Sequence, residues 1–335
     1  MIRIGVVGLG FMGSTHLQAW SQVSNAQLVA VASGDPRKLE GDLSQVGGNL
    51  GTGAAKVDFT NCARYSNPES LFADPSVDAV DLCVPTHLHA PLAIQALQAG
   101  KHVLVEKPMA LNPAHAEQML RESEKAGRIL MVAQVLRFWP DYVRARSELA
   151  EGSIGSLQMA VFRRKCGAPT WNPWIHDAKQ SGGGAFDLLI HDFDFCIHLF
   201  GMPAEVRATG SEQKEHGIDI LEAELTYSDG PIVVVSGGWQ PGDYPFSMEF
   251  TLTGSEGTLD YHSGLRRLSR YLPGKPAEEF ELTEGDGFRA ELQAFADACE
   301  RDTPDPLCPP SESAQALQLA LAAVESRRSG RPISP

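Results

Sequence analysis

The sequence predicts an α/β domain, built on a doubly wound parallel sheet, followed by an α+β domain with a large, mostly antiparallel open sheet and covering helices. The first observation is that strand-like and helix-like segments alternate up to about residue 150. The second is that consecutive strand-like segments follow, several with alternating polarity. The third is length, because 335 residues suit two cores better than one. We place the domains at 1–135 and 136–335.

Short, β-branched apolar runs predict five strands in the first domain, and helix-like segments lie between and after them. The strands are expected at Ile2–Val7, Leu28–Ala32, Ala79–Val84, His102–Val105 and Ile129–Ala133. The helices are expected at Met12–Trp20, Pro68–Phe72, Ala90–Ala99, Pro113–Ala126 and Tyr142–Ala150, two of them followed by the C-cap glycines Gly100 and Gly127. The Gly-rich segment 44–62 interrupts the alternation and is interpreted as a loop insertion.

The second domain shows strand-like segments in succession, which is typical of an antiparallel sheet. Strands are predicted at 156–165, 205–210, 219–227, 231–239 and 247–253, and helices at Ala185–Phe200, Phe288–Glu300 and Ser311–Arg328. Asp229-Gly230 between two strands indicates a hairpin. Few helices are available to cover so large a sheet, so we expect one face to form a homodimer or homotetramer.

Composition excludes several classes of protein. A net charge of -14 and a pI near 5.1 argue against a nucleic-acid partner, which needs a basic surface, and give no support to a membrane partner. The six cysteines are scattered without a C-x-x-C pair, so we expect no metal cage. No basic segment and apolar run precede Ile2, and no apolar run is long enough to span a bilayer. We therefore expect a cytoplasmic protein.

The most informative motif is Gly8, Gly10 and Gly13, spaced G-x-G-x-x-G between a buried strand and a helix. In that context the first glycine allows a tight turn, the second lets a phosphate approach the backbone, and the third lets helix and strand pack closely. We predict a dinucleotide pyrophosphate site here, with Phe11 and Met12 at the helix start as further cofactor contacts.

Polar residues follow the fourth predicted strand, in the segment DLCVPTHLHAP. Ligands of open α/β sheets bind at the carboxyl ends of strands, so Pro85, Thr86 and His89 are expected beside the cofactor. An alternative is that His87 and His89 hold a metal as an H-x-H pair, although no further ligands follow at usual spacing. The simpler interpretation is that His89 caps or orients the next helix.

Glu106-Lys107-Pro108 ends the fifth predicted strand. Pro108 restricts the backbone of Lys107, and the strand end directs this lysine toward the cofactor cleft, where its ammonium can stabilise a developing alkoxide. The alternative is a surface Glu–Lys ion pair. We predict that Lys107 is catalytic and that it and Glu106 also contact the cofactor.

The segment GGGAFDLLIHDFD, from Gly182, places Asp187 and His191 four residues apart, on one face of an otherwise apolar helix. Asp194 and His198 extend this polar seam. A solvated face is the alternative, but a buried helix with one polar seam is typical of a cleft. We predict that His191 removes a hydroxyl proton and that Asp187 orients its ring.

These segments together resemble the Gfo/Idh/MocA oxidoreductases, the relatives of glucose–fructose oxidoreductase and inositol dehydrogenase. The resemblance rests on the glycine motif, on CVPTHLHAPLAIQALQAGKHVLVEKP, QVLRFWP and GGGAFDLLIHDFD, and on the later GSEGTLDY and ESRRSGRPI. It implies a Rossmann domain, NAD or NADP as cofactor, and sugars, cyclitols or related polyols as substrates. It assigns catalysis to Lys107, Asp187 and His191, and cleft-lining positions to Gln134 at the cofactor and Arg137 at the substrate. Trp174 lies in the family's variable substrate loop and is taken as a substrate contact.

Cofactor choice is predicted from the end of the second strand, where NAD-preferring members often carry an acidic residue. This chain has Ser33 there, with Asp35, Arg37 and Lys38 beyond it. A hydroxyl beside cations suits a 2′-phosphate, so Ser33 and Arg37 favour NADP over NAD. Asp35 could still reach a ribose, which leaves NAD open.

Three functions follow from these residues. The first is an NAD(P)-dependent oxidoreductase acting on the CH–OH group or ketone of a sugar-like compound. The second is a sensor that keeps the cofactor fold without catalysis, against which the retention of Lys107, Asp187 and His191 argues. The third is a metal hydrolase based on His87 and His89.

Overall fold

The computed structural model describes residues 1–48, 56–170, 173–282 and 285–335. It divides into two compact units, the first comprising Met1–Val135 and Asp286–Ala314, the second Leu136–Gly285 and Gln315–Pro335. Part of the predicted 44–62 insertion lies outside the described residues.

The first unit is built on a parallel sheet of six described strands in the order β3-β2-β1-β4-β5-β6. Its central strands consist mostly of apolar residues and are buried on both faces, as expected when helices cover both sides. This order, reversing beside β1, is that of a dinucleotide-binding doubly wound sheet, and it confirms the predicted fold class. The strands are β1 (Ile2–Val7), β2 (Ala26–Ala32), β3 (Ala63–Tyr65), β4 (Ala79–Leu82), β5 (His102–Glu106) and β6 (Leu130–Ala133).

Helices connect these strands, and several begin at a side-chain cap that the sequence provides. Asn67 caps α3 and Asn112 caps α5, each accepting from a backbone N–H three residues later, and each is followed by a proline at the first helical position. Gly127 ends α5 at a positive φ. The helices are α1 (Phe11–Trp20), α2 (Pro36–Leu39), α3 (Pro68–Phe72), α4 (His89–Gln98) and α5 (Pro113–Ala126).

A helix from late in the chain joins Met1–Val135 in the first unit, an addition that the division predicted at residue 136 did not include. This helix, α9 (Gly287–Arg301), packs on α1 through the rings of Trp20 and Phe295, whose centroids lie 6.4 Å apart. The side chain of Gln293 donates to Asn25 at 2.8 Å. Such contacts join residues about 270 positions apart, so the alternation of nearby elements could not indicate them.

The second unit contains a sheet of eight described strands in the order β14-β13-β12-β11-β7-β10-β9-β8. Neighbouring strands are antiparallel except β7 and β10, which are parallel, so the prediction of a mostly antiparallel sheet is confirmed. The hairpin predicted at Asp229-Gly230 joins β9 to β10. The strands are β7 (Leu157–Gly167), β8 (Glu205–Gln213), β9 (Ile218–Thr226), β10 (Ile232–Gln240), β11 (Ser247–Gly254), β12 (Thr258–His262), β13 (Arg266–Tyr271) and β14 (Glu278–Glu279).

One face of this sheet carries the core of the second unit. Phe162 of β7 and Phe250 of β11 pack with Phe195, and Tyr142 contacts both Phe195 and Phe250 edge-on at 5.0 Å. Phe195 belongs to α8 and Tyr142 to α6, so these two helices cover this face. The helices of the unit are α6 (Pro140–Ala150), α7 (Ala178–Ser181), α8 (Gly184–Phe200) and most of α10 (Pro310–Ser329).

Successive side chains along the paired strands point alternately to the core face and to the opposite face of the sheet. Met159 of β7 pairs with Ile232 of β10, and Val161 with Val234. Met159 and Ile232 are 37% and 56% exposed, so apolar side chains lie on the outer face of the central strands. Among the helices described, none is long and apolar enough to cross a membrane.

Candidate active site

The turn between β1 and α1 needs glycine at two positions for reasons of its own packing. Gly8 has φ +92°, and a Cβ there would lie 2.3 Å from the carbonyl oxygen of Cys83. A Cβ on Gly13 would lie 2.0 Å from the carbonyl oxygen of Gly8. These contacts give the first and third glycines the roles expected of them, a tight turn and a close helix–strand approach.

Gly10 is different, because none of the described residues requires a glycine there. It is the N-cap residue of α1 with φ −85°, a value open to any residue, and its added Cβ would meet no atom of the described residues within 4 Å. No side chain in the described part of the chain caps α1, so its first N–H groups are available to an anion. The open side of Gly10 fits a pyrophosphate, and half-buried Phe11 and Met12 begin the helix beside it.

The residues after β2 form a small hydrogen-bonded turn. The Ser33 hydroxyl accepts from the Asp35 N–H at 3.1 Å, and Asp35 caps α2 by accepting from the Arg37 N–H at 3.0 Å. The Arg37 guanidinium also donates to Asp35 at 3.1 Å, and this hydrogen bond lowers the pKa of the Asp35 carboxyl. Asp35 is thus engaged in a cap and an ion pair, and it would have to leave both to reach a ribose.

His89, at the start of α4, joins two of the loops predicted to hold the cofactor. Its Nδ1 lies 2.7 Å from the carbonyl oxygen of Pro108, and its Nε2 lies 2.8 Å from that of Val84. Both ring nitrogens are thus engaged with backbone carbonyl oxygens, and which of them carries the proton depends on the tautomer. The geometry therefore supports the orienting role of His89 and gives no support to a His87–His89 metal pair. Pro85 and buried Thr86 lie in the loop before it.

Glu106, the last residue of β5, is buried beside half-buried Lys107. Its Oε2 accepts from the backbone N–H of Lys107 at 3.1 Å. Its Oε1 lies 3.1 Å from Nε2 of His16, a residue of α1 that the sequence analysis did not single out. The Glu106 carboxylate thus accepts a hydrogen bond from the backbone of Lys107. This contact differs from the surface ion pair between the Glu106 and Lys107 side chains considered above.

His16 belongs to a buried polar cluster under the glycine turn. Its Nδ1 lies 2.9 Å from Asp81 Oδ2, and the Sγ of Cys83 lies 3.4 Å from both His16 and Asp81. The Trp20 indole donates to Asp81 at 2.8 Å. The ligand atoms of His16, Asp81 and Cys83 lie close enough to hold a metal ion, but hydrogen bonds among them already account for their proximity.

Gln134 follows β6 and is 1% exposed, yet neither atom of its side-chain amide has a hydrogen-bond partner among the residues that the structure describes. A buried polar group left without a partner costs about 1–3 kcal/mol. A strand-end amide in this state fits a ligand that carries its own donor and acceptor, such as a carboxamide. This observation, with the open side of Gly10, indicates that the first unit suits a nicotinamide dinucleotide.

In the second unit, Asp187 and His191 are half-buried on α8, while their apolar neighbours Leu188, Leu189 and Ile190 are buried. The predicted polar seam on an otherwise buried helix is therefore present, with the two side chains one turn apart. An imidazole and a carboxylate are both groups that can take part in proton transfer.

The start of α8 depends on a residue that the sequence analysis missed. The N-cap is Gly183 at φ +97°, which provides no side chain, and Asp219 of β9 substitutes for it by accepting from the Ala185 N–H at 2.7 Å. The Arg327 guanidinium donates to the other oxygen of Asp219. The residues around the start of α8 do not indicate this contact, because it joins positions 34 residues apart.

The structure gives Arg137 a partner other than the predicted substrate. Its guanidinium is 1% exposed and donates twice to Asp194, at 2.7 Å from both Nε and Nη2. The Arg137 and Arg146 guanidinium groups also lie 3.3 and 2.9 Å from the ring nitrogens of His198. The lower half of the polar seam is thus an ion-pair network that anchors α8, and the contact of Arg137 with the substrate stays a prediction.

Trp174, the remaining predicted substrate contact, lies half-buried in a 3₁₀ turn at Pro173–His176. Its carbonyl oxygen accepts from the Asp177 N–H at 3.1 Å. The neighbouring Ile175 packs against a small apolar cluster that contains Leu188 of α8 and Trp239. The 3₁₀ turn is therefore attached to the helix that carries Asp187 and His191.

Comparison with known proteins matches both parts of the chain. Residues 2–134 match the Gfo/Idh/MocA model described as "Oxidoreductase family, NAD-binding Rossmann fold", and residues 146–334 match "Oxidoreductase family, C-terminal alpha/beta domain".

Individual relatives agree with these matches. The chain is 28% identical to a myo-inositol 2-dehydrogenase of Thermotoga maritima over 99% of this chain and 98% of the relative. It is 27% identical to a D-glucoside 3-dehydrogenase of Escherichia coli, over 78% and 68%. A crystal structure of a "probable dehydrogenase" from Thermotoga maritima superimposes with a TM-score of 0.80 at 25% identity, over 99% and 98%. The chain therefore belongs to the Gfo/Idh/MocA family of oxidoreductases, with an NAD-binding Rossmann fold followed by the family's α/β domain.

Proposed function

We propose that this protein is an NAD(P)-dependent dehydrogenase that acts on a CH–OH group of a sugar, cyclitol or related polyol. The observation that carries the proposal is the half-exposed Asp187–His191 pair on the otherwise buried helix α8. The substrate class is supported by relatives named for myo-inositol and a D-glucoside, both of which are polyhydroxylated rings.

The cofactor, when bound, supplies a nicotinamide that accepts the hydride. Gly8, Gly10, Gly13, Phe11 and Met12 would hold its pyrophosphate, and Gln134 its carboxamide. Pro85, Thr86, His89, Glu106 and Lys107 would complete the cofactor site at the strand ends.

Residues of the chain accept the proton and stabilise the charge that develops on the reacting oxygen. His191 accepts the proton of the reacting hydroxyl, because imidazole is basic near neutral pH. Asp187 orients the ring and stabilises the imidazolium that forms. Lys107 donates a hydrogen bond to the reacting oxygen and stabilises its developing negative charge.

A non-catalytic sensor of the same fold is the alternative. It would bind the dinucleotide and a sugar but would not require a base on α8. The two proposals are separated by a panel of myo-inositol, scyllo-inositol, D-glucose and methyl D-glucoside, assayed by nicotinamide absorbance with NAD and NADP. Turnover of one compound supports the dehydrogenase, whereas binding of both ligands without absorbance change on any compound favours the sensor.

Replacing Gln134 by leucine should affect stability and cofactor binding in opposite directions. Leucine removes the buried amide that has no partner in the protein, so the free energy of unfolding without cofactor should rise by roughly 1–3 kcal/mol. The same change removes the groups proposed to pair with the carboxamide, so calorimetry should show weaker NAD(P) binding.

Gln118→Leu is the matched control, because Gln118 is exposed on α5 and should change neither quantity appreciably. A Gln134→Leu protein that is less stable and binds the cofactor normally would show that Gln134 is a structural residue.

We further propose that NADP is preferred over NAD, because Ser33 places no carboxylate at the end of β2 and Arg37 lies nearby. Ser33→Asp should shift the ratio of kcat/KM values toward NAD by at least about tenfold, equivalent to ~1.4 kcal/mol, since a carboxylate repels a 2′-phosphate and accepts from a ribose hydroxyl. Ser70→Asp adds the same charge at an exposed site of α3. Equal ratios in the two variants would mean that Ser33 does not face the ribose.

Finally, we propose a homodimer or homotetramer formed by the outer face of the second sheet. The exposed apolar side chains of Met159 and Ile232, paired on the neighbouring strands β7 and β10, are the supporting observation. Light scattering should give two or four times the 36.2 kDa of one chain, and Ile232→Lys should lower the mass by placing charge in the contact. A wild-type particle of one chain's mass would contradict the proposal.

A further inference from the structure

The buried cluster under the glycine turn contains a histidine that the proposed reaction does not use. His16 is 0% exposed and lies between two carboxylates, with Nδ1 at 2.9 Å from Asp81 and Nε2 at 3.1 Å from Glu106. Burial disfavours the imidazolium, but the Asp81 carboxylate outweighs it and holds the pKa of His16 well above its ordinary value. His16 therefore joins the two acidic groups: its Nδ1 lies at hydrogen-bond distance from Asp81, and its Nε2 lies within ion-pair distance of Glu106 without hydrogen-bond geometry.

The two carboxylates differ in what else holds them. Asp81 also accepts from the Trp20 indole at 2.8 Å and lies 3.4 Å from Cys83 Sγ, so it keeps donors when His16 is changed. Glu106 faces His16 with Oε1 and accepts the Lys107 N–H with Oε2. A change at His16 is consequently felt more strongly at Glu106 than at Asp81.

Glu106 thereby connects two parts of the cofactor-binding unit. His16 lies on α1, two turns after Gly10 at its N-terminus, and Lys107 follows the end of β5. We propose that His16 is a positioning residue, which fixes the Glu106 carboxylate and through it the backbone and side chain of Lys107. This inference rests on the proposed function, in which Lys107 donates to the reacting oxygen.

The physical reason is that a buried carboxylate does not stay in place without a polar partner beside its oxygens. Without His16, Glu106 would turn toward water or toward the Lys107 ammonium, since an uncompensated buried charge is strongly disfavoured. Either movement displaces Lys107, and a misplacement of about 1 Å at a catalytic group can lower the rate about 10²-fold.

Two amide variants test the contacts of the two ring nitrogens of His16 one at a time. Glutamine carries its amide nitrogen at the reach of Nε2 and can donate to Glu106, whereas asparagine carries it at the reach of Nδ1 and can donate to Asp81. Both are neutral and smaller than or close to histidine in size. His16→Gln should therefore preserve the position of Lys107, and His16→Asn should not. Thermal unfolding of both variants establishes that each is folded.

The first readout needs no substrate or cofactor. Competitive labelling of the folded protein with acetic anhydride, followed by mass spectrometry of the Lys107 peptide, measures the reactivity of its amine. We expect His16→Gln to match the wild type and His16→Asn to change the labelling rate of Lys107, while exposed Lys125 is labelled alike in all three proteins.

The second readout is kcat on the compound of the panel that gives turnover, with the double variant His16→Asn/Lys107→Ala. If His16 acts through Lys107, the asparagine change lowers kcat in the wild type and has no further effect when Lys107 is alanine. Additive losses would indicate a role independent of Lys107 and would overturn the inference.

The outcomes distinguish the inference from the proposed function. If Lys107→Ala leaves kcat unchanged, the proposed role of Lys107 fails, and the labelling experiment still decides whether His16 positions that side chain. If Lys107→Ala lowers kcat but the asparagine and glutamine variants label alike and turn over alike, His16 is a structural residue and the inference alone is overturned.

Discussion

Replacing His191 by alanine is expected to lower kcat by about 10²–10⁴-fold, the usual consequence of removing a general base. The side chain lies on α8 one turn from Asp187, so its loss removes the group that accepts the hydroxyl proton. NAD(P) affinity should remain nearly normal, because the glycine turn belongs to the other unit. Steady-state kinetics and cofactor calorimetry on the same preparation measure both quantities.

His198→Ala is the matched control for this prediction. His198 lies on the same helix and is also half-buried, but its ring contacts Arg137 and Arg146, and we assign it no part in the reaction. We expect its kcat to stay within about tenfold of the wild type, far from the loss of a general base. A His191→Ala protein with a normal kcat and a normal pH profile would remove the proposed base.

Gly10→Val is expected to abolish most cofactor binding without weakening the fold. The backbone of Gly10 is extended and an added Cβ meets no protein atom within 4 Å, so the valine fits the unliganded chain. It would occupy the space proposed for the pyrophosphate. Loss of about two hydrogen bonds to a charged group, each worth about 1.5–3 kcal/mol, corresponds to a loss of affinity of about 10²-fold or more.

Gly13→Ala provides the contrast. A Cβ at Gly13 would lie 2.0 Å from the carbonyl oxygen of Gly8, so this variant should be destabilised by overpacking, by about 1–3 kcal/mol or more. Thermal unfolding without cofactor should therefore separate the two glycines. If Gly10→Val bound NAD(P) as tightly as the wild type, the pyrophosphate would have to lie elsewhere.

The parts of the fold that sequence could predict are those in which local pattern and burial agree. Strands β1, β4 and β5 are short and mostly apolar, and α5 begins at an Asn cap and ends at a glycine. The three-residue strand β3 and the strands β12 to β14 were not predicted, because they are short or polar and are defined by pairing with neighbours already in the sheet. Whether such segments form strands depends on tertiary pairing, which the local pattern of apolar residues does not reveal.

The candidate site shows the same division. Gly8, Gly10, Gly13, Lys107, Asp187 and His191 could be predicted because each lies in a short motif at a strand end or on one helix face. Asp219 and His16 could not, because their partners lie 34 and 90 residues away. The pairing of Arg137 with Asp194 could not be predicted either, because the two residues lie 57 positions apart.

The return of α9 to the first unit has a consequence for how the chain is made. Domains of a growing chain generally fold from the N-terminus as they emerge, but the first unit is not contiguous: it needs Asp286–Ala314 as well as Met1–Val135. When residue 135 leaves the ribosome, the surface of α1 that packs on Phe295 is still uncovered. The first unit therefore reaches its final state only after every strand of the second sheet has been synthesised, and a fragment ending at residue 135 would expose Trp20 to solvent and to aggregation. An independent Rossmann unit would have to carry α9 on a linker.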